Sequence, residues 1–437
     1  MTESSLSSAV RAVGNIHPAA TASVLIETTE REILESLNAE KVVPPASTTK
    51  LFTTALALDS LGESHQFETS IATTRKVSGR QLNGDCIVTS SITPDLERSN
   101  IAVLAQSVAS SNISCVDGNV ILKQSPSRES SYPLGWAHKD IRQPYGAPVS
   151  ALSVSRNQVE VTVSRTDDGP EITVSPQSTA VTVHEQVVIA DKEDESDVSV
   201  KVNPSTFELT VAGRLCAEEI SLQAPILNPS MHAAAVFCEE FDKVGISITG
   251  GVKVSEKTAK GKLSATQFGT ISSRPLTEII TETNRQSDNF LAEQLALALT
   301  TKGDGRNSST WENYTVAFFE ELDSPSCRLY DGSGLSRYNL VSAEAIVKLL
   351  SWSHSQPWCH EFFNSLPAPG EGTLTTRLHG QNVRAKTGTL RGVRALSGIK
   401  YRHNKPDVFF ALLLSNLTTN AKSARDTLDD VVKAIPK

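Results

Sequence analysis

The chain has 437 residues, too many for one ordinary core, and domains of roughly 100–200 residues would divide it into two or three. Its 41 Lys and Arg stand against 49 Asp and Glu, a formal charge of −8, which leaves no basic surface for a polyanion and argues against a nucleic-acid partner. The longest apolar runs, such as residues 408–414, are strand-sized and far short of the ~20 residues that span a bilayer, so no transmembrane segment is expected.

The first residues, Met1-Thr2-Glu3-Ser4-Ser5, lack the basic and apolar regions of a secretory leader. That leaves an intracellular protein or one whose leader has been removed. Ala22 to Leu37 reads as strand, turn, strand, with Val24-Leu25-Ile26 and Ile33-Leu34 as the apolar parts. After Pro44-Pro45, Leu51, Phe52, Ala55, Leu56 and Leu58 recur at helical spacing and Gly62 supplies a stop, which predicts a buried helix carrying Ser47 and Lys50. From about Ile71 to Lys262 the chain turns to short β-type runs, as in the alternating residues 159–163 and 198–202. The acidic stretch 191–197 within it reads as a solvated loop.

From Pro275 the pattern is helical again, with Leu276, Ile279 and Ile280, then Phe290, Leu291, Leu295 and Leu297. Two strands, about 383–400 and 407–415, joined by the turn residues 403–406, lead into a terminal helix. The simplest architecture is one discontinuous α/β domain interrupted by a β-rich insertion. Cys86, Cys115, Cys216, Cys238, Cys327 and Cys359 form no Cys-x-x-Cys pair and read as free thiols, mostly buried. With no His-Glu-x-x-His, no P-loop and no Gly-x-Gly-x-x-Gly, no metal or nucleotide cofactor is expected.

Three short boxes carry the chemistry. Ser47-Thr48-Thr49-Lys50 places a hydroxyl and an amine at i and i+3, on one face of a helix, so that the amine can take the proton the serine must lose to become a nucleophile. For that, Lys50 needs a lowered pKa, from burial or from a neighbouring cation such as Lys386. Ser287-Asp288-Asn289 lies between the two later helical runs, and Lys386-Thr387-Gly388-Thr389 within an apolar run. A second Ser-x-x-Lys, Ser397 to Lys400, falls in a predicted strand, where the two side chains point to opposite faces. Gly332-Ser333-Gly334 is preceded by Asp331 and so fails the Gly-x-Ser-x-Gly elbow of a Ser-His-Asp hydrolase, and His65, His138 and His379 read as surface or satisfied core histidines.

The trio, in this order, is the signature of β-lactamases and penicillin-binding proteins. Further stretches, Pro45 to Leu51, Gly135-Trp136-Ala137, Ala147 to Leu152, Asp331 to Arg337, Gly372-Thr373-Leu374 and Ala385 to Leu390, resemble the class C low-molecular-mass penicillin-binding proteins, the D-alanyl-D-alanine carboxypeptidase/endopeptidase family. The gap from Ser47 to Ser287 is much longer than in class A β-lactamases and is similar to that family's inserted domains. The resemblance implies a β-lactamase/transpeptidase-like α/β domain with an antiparallel sheet and flanking helices, formed by residues 1–70 and 268–437. It implies an inserted domain of 71–152 with 214–267, and a β-rich one of 153–213.

Carried over by position, Ser47 is the acylated nucleophile, Lys50 its base and Ser287 the proton relay to the leaving amine. Asn289 holds the substrate amide. Lys386 tunes the site and binds the terminal carboxylate with Thr387 and Thr389. The N–H groups of Ser47 and Thr389 form the oxyanion hole, Gly388 lets substrate lie along the strand edge, and Asp140 faces the amine of a diamino acid. The implied activity is a serine D,D-carboxypeptidase or endopeptidase on peptidoglycan peptides, acylated by β-lactams and located outside the cytoplasm. The alternatives are a β-lactamase, whose downstream Glu-x-x-Leu-Asn box is absent here, and a non-catalytic peptidoglycan-binding protein on the same fold.

Overall fold

Val408–Ser415 is buried at every position, as a strand covered on both faces must be, which accounts for its unbroken apolar run. It lies at the centre of a five-stranded antiparallel sheet in the order Val383–Leu390, Val393–Lys400, Val408–Ser415, Thr21–Thr28, Ile33–Leu37. The computed structural model describes residues 5–123, 131–191, 194–255, 266–301, 310–418 and 421–437. They form two compact units. The first takes in the described residues of Met1–His65, Pro133–Ala137 and Pro275–Lys437; the second, those of Gln66–Tyr132 and His138–Arg274.

In the first unit, the terminal helices Ser5–Gly14 and Ala421–Ala434 pack on one face of the sheet through Leu6, Val10, Leu428 and Val431 against Val24, Leu396 and Phe410. Helix Thr49–Leu61 buries every residue from Thr49 to Leu58. It is hydrophobic all round because helices surround it: Leu276–Arg285, Asn289–Leu299, Ala343–His354 and Cys359–Ser365. The closing strand of 383–400 is in fact two, Val383–Leu390 and Val393–Lys400, because Arg391-Gly392 turns the chain, with Gly392 at φ 76°. An apolar count could not register a turn of two residues. Residues 133–137, expected within the insertion, pack in this first unit instead: the Trp136 indole N–H donates to Asp331 (2.8 Å) and Ser336 Oγ to the Leu134 carbonyl (2.7 Å).

The second unit has two hydrophobic cores. One lies between a mixed sheet, ordered Gly251–Ser255, Asn119–Lys123, Cys86–Ser90, Glu68–Thr73, Thr266–Ser272, and helices Arg98–Ser110 and Pro229–Lys243. These helices correct the expectation of short β-type runs throughout. Ile101, Leu104, Ala105 and Val108 carry a helical period, and Asn228-Pro229 is a helix start, its side chain accepting from the Met231 N–H (3.1 Å). The other core lies between two three-stranded sheets, Gly169–Ser175 with Gln158–Thr166 and Glu219–Pro225, and Val183–Ile189 with Leu209–Leu215 and Ser199–Val202. Asp191, Asp194, Glu195 and Asp197 are exposed. All six cysteines are free thiols; Cys86, Cys216 and Cys327 are buried, and Cys238 is exposed.

Candidate active site

Ser47 sits in a 3-10 turn, Ala46–Thr48, that runs into helix Thr49–Leu61. The turn keeps Ser47 and Lys50 on one face, and the Lys50 amine donates to Ser47 Oγ at 3.1 Å. Just before it, Ala46 takes a left-handed φ of 50°, a strained backbone for alanine held by its surroundings. Gly334, at φ 85°, is what allows the 331–339 loop to press on this turn, since a Cβ there would run into the Ala46 carbonyl oxygen.

The amine of Lys50 also donates to Asn289 Oδ1 (2.7 Å) and to the Ser333 carbonyl (2.6 Å). Asn289 opens helix Asn289–Leu299, whose N-cap Asp288 accepts from the Leu291 N–H at 2.9 Å. Ser287, between the helices at φ 59°, is a second strained residue. Its hydroxyl accepts from the Lys386 amine at 2.9 Å, and Lys386 donates as well to the Thr387 carbonyl (3.1 Å). Hydrogen bonds therefore join Ser47 and Asn289 through Lys50, and Ser287 to Lys386, as two groups, with Lys386 sensing the Lys50 charge.

Both amines are fully buried. Burial pushes Lys50 down to about 8, although Asp331, Asp288 and Glu293 pull it up. Lys386 is held well below the usual lysine range by burial first and the Lys50 charge second. The main cause of the low Lys50 value is thus the apolar helix bundle rather than the Lys386 cation.

Lys386 lies on Val383–Leu390, the edge strand, which pairs with no other strand on its outer side among the described residues. Thr387 is buried and Thr389 exposed on the same strand. Gly388 serves the chain itself, because a Cβ there would stand 2.7 Å from the Pro45 carbonyl oxygen. Asp140, in the second unit, is 4% exposed; its Oδ1 accepts from the Tyr145 phenol at 2.9 Å, and the Lys139 amine stands 3.9 Å away on an exposed side chain. Burial, then Asp140, pushes the Tyr145 phenol up to about 12.

The second Ser-x-x-Lys makes no such pair, although Ser397 lies directly opposite Lys386 across the sheet. Ser397 and Lys400 lie in strand Val393–Lys400, and the Lys400 amine donates to the Val432 and Ile435 carbonyls (both 2.8 Å) at the end of the terminal helix. His138 and His379 are exposed and His65 is half-buried. What sequence reasoning missed is the support around Lys50. Asp331, fully buried, accepts from the N–H groups of Gly334 (2.8 Å) and Ser336 (2.6 Å) and from Asn339 Nδ2 (2.6 Å), so it shapes the loop whose Ser333 carbonyl meets the amine. The signal was an aspartate before Gly332-Ser333-Gly334, a turn-former set among flexible residues.

A model of the D-Ala-D-Ala carboxypeptidase 3 (S13) family matches residues 3–435. The chain belongs to that family. As an S13 member it is a serine-type D-Ala-D-Ala carboxypeptidase, as the three boxes led us to expect. The D-alanyl-D-alanine carboxypeptidase of Actinomadura sp. (strain R39) is 28% identical over 86% of this chain and 74% of its own length. In fold, this S13 chain is similar to the crystal structure of penicillin binding protein 4 (dacB) from Haemophilus influenzae, with TM-score 0.81 and 24% identity over 97% of each chain. It is also similar to that protein complexed with a novel β-lactam, with TM-score 0.75 and 24% identity over 97% of this chain and 98% of the other. The expected penicillin-binding α/β fold is borne out.

Proposed function

We propose that this chain hydrolyses the terminal D-alanyl bond of peptidoglycan stem peptides, outside the cytoplasm, through an acyl-enzyme on Ser47. The observation that carries this is the buried Lys50 amine, lowered to about 8 and 3.1 Å from the Ser47 hydroxyl, a usable base beside an otherwise poor nucleophile. Ser47 Oγ gives its proton to Lys50 and attacks the peptide carbonyl carbon. The oxyanion is received by the N–H groups of Ser47 and Thr389. Ser287 passes a proton to the departing amine as the C–N bond breaks, and a water then hydrolyses the ester and restores Ser47. Asn289 holds the substrate amide, Lys386, Thr387 and Thr389 take the terminal carboxylate, and Gly388 keeps the strand edge approachable. The same steps serve a carboxypeptidase or an endopeptidase, which differ in the amine that leaves.

In a β-lactam the leaving amine stays tethered after ring opening, so the ester persists. The β-lactam-complexed relative and the lack of a Glu-x-x-Leu-Asn box favour trapping over turnover. Mass spectrometry after incubation with benzylpenicillin tests this: one long-lived adduct on Ser47 is expected, and none in Ser47→Ala. Rapid repeated turnover would mean a β-lactamase, and no adduct would remove the acyl-enzyme reading.

Asp140 selects peptides carrying a free side-chain amine. Its carboxylate is buried among few partners, and a charge-assisted hydrogen bond donated to it by the side-chain ammonium favours the free amine by roughly ten- to a hundredfold. Kinetics on matched peptides with free and acetylated amines, for the parent and Asp140→Asn, check it; equal efficiency for the two peptides with the parent would discard the role. Apart from residues 133–137, the insertion comprises two modules, 71–152 with 214–267 and 153–213, a reading supported by its two cores; the pairing of Glu219–Pro225 with Gln158–Thr166 favours extending the second module to Pro225.

A further inference from the structure

Besides Ser47 Oγ, two uncharged oxygens meet the Lys50 amine, Asn289 Oδ1 and the Ser333 carbonyl, and both trace back to one helix. On Asn289–Leu299, Glu293 follows Asn289 by four residues and therefore shares its face. Glu293 is fully buried, and its Oε1 accepts from the Ser333 N–H at 2.8 Å. A buried carboxylate is costly to keep charged, and the reaction on Ser47 gives this one no step. Asp331, the other buried acid here, is already surrounded by donors: Gly334, Ser336, Asn339 and Ser333 Oγ of its own loop, and the Trp136 indole.

We propose that Glu293 is a positioning residue for the reaction: it holds the Ser333 main chain against the Lys50 amine and supplies negative charge that governs when that amine releases its proton. This rests on the acyl-enzyme reading. Lys50 is faced by Asp288 and Glu293 from the Asn289 helix and its cap, by Asp331 from the 331–339 loop, and by Lys386 from the edge strand. Of the three acids, Glu293 alone reaches the Ser333 N–H, so its effect divides into a geometric part and an electrostatic part that substitutions separate. Glu293→Gln keeps an oxygen for the Ser333 N–H and nearly the same shape, but removes the charge. Glu293→Asp keeps the charge but draws it back by one methylene.

The test is the rate of Ser47 acylation by benzylpenicillin from about pH 6 to about pH 10, followed by stopped flow on the full chain. Loss of negative charge favours the neutral amine, so the acid limb in Glu293→Gln moves to lower pH by about one unit. In Glu293→Asp the limb stays with the parent's while the plateau falls about tenfold, as displacement of the base costs rate. A Gln limb coincident with the parent's, or an Asp limb displaced as far as the Gln limb, would overturn the proposal, since a merely structural acid lowers stability without moving the limb. Should Glu293→Gln fail to fold, Glu293→Asp decides alone: an unmoved limb with a lower plateau supports the role, and a moved limb rejects it. Failure of the parent to acylate at Ser47 is a separate result that strikes the acyl-enzyme reading itself.

Discussion

A lysine that accepts a proton near neutrality has to be taken out of water, and Lys50 is, with no exposed surface at all. At a pKa of about 8, roughly one Lys50 in ten is already neutral at pH 7. The acylation rate is therefore expected to rise between about pH 6 and about pH 8 and to level off above, because the neutral amine is the active form. A rate flat across that range would show that Lys50 is not the base. Single changes of Ser47 or Lys50 to Ala should each remove most activity, and the double change should cost little more, because the two act as one unit. Purely multiplicative losses in the same kinetic measurement would separate them.

At the scale of elements, the Ser47 turn is wedged into place by its neighbours. Thr53 Oγ1 donates to the Gly332 carbonyl at 2.6 Å, and the loop then crosses the Ser47 turn at Gly334, where neither φ nor space admits a side chain. Gly334→Ala should cost about 2–4 kcal/mol in urea unfolding and should slow acylation, because relief of the clash must push Ala46 and Ser47 aside. An Ala variant of parental stability and parental rate would mean that the loop does not brace the turn.

Local patterns at this scale were legible wherever burial and period agree. Helix Thr49–Leu61, the strands from Thr21 to Leu37 and the helix opening at Asn289 all announced themselves through apolar spacing and caps. Glu293, four residues past Asn289, was written on the same helix face, but nothing local distinguishes an inward acid from a solvated one. Arg391-Gly392 escaped because an apolar count runs across a two-residue turn, and the helix Arg98–Ser110 because polar residues dilute its period.

At the scale of the whole molecule, pH acts on more than Lys50 and Lys386. His232, on helix Pro229–Lys243, is fully buried, and neither ring nitrogen has a hydrogen-bond partner among the described residues. Burial depresses it to about 4, with Glu239 pulling it up and Arg98 pushing it down. Between about pH 6.5 and about pH 4 the unfolded chain binds a proton that the folded chain refuses, so stability is full above the unfolded value and is lost as pH falls. The second unit should be about 2 kcal/mol less stable at pH 5 than at pH 7 on this account, and His232→Leu should remove that difference. Urea unfolding of parent and variant at the two pH values checks it; an unchanged slope in the variant would assign the loss to other groups. No helix among the described residues is long and apolar enough to cross a membrane.

The sequence by itself determined the chemistry on offer: a serine and a lysine one helical turn apart, a Ser-Asp-Asn box and a Lys-Thr-Gly strand, in the order that marks β-lactamases and penicillin-binding proteins. Those are local facts, readable because spacing along a helix or strand decides which side chains share a face. Only the tertiary structure decided that Lys50 and Lys386 lose their water, that Asn289 and the Ser333 carbonyl meet the same amine, and that the Lys400 amine reaches the end of the terminal helix. Burial and contact between residues hundreds of positions apart depend on how the elements pack. No spacing in the chain encodes the dielectric around a lysine.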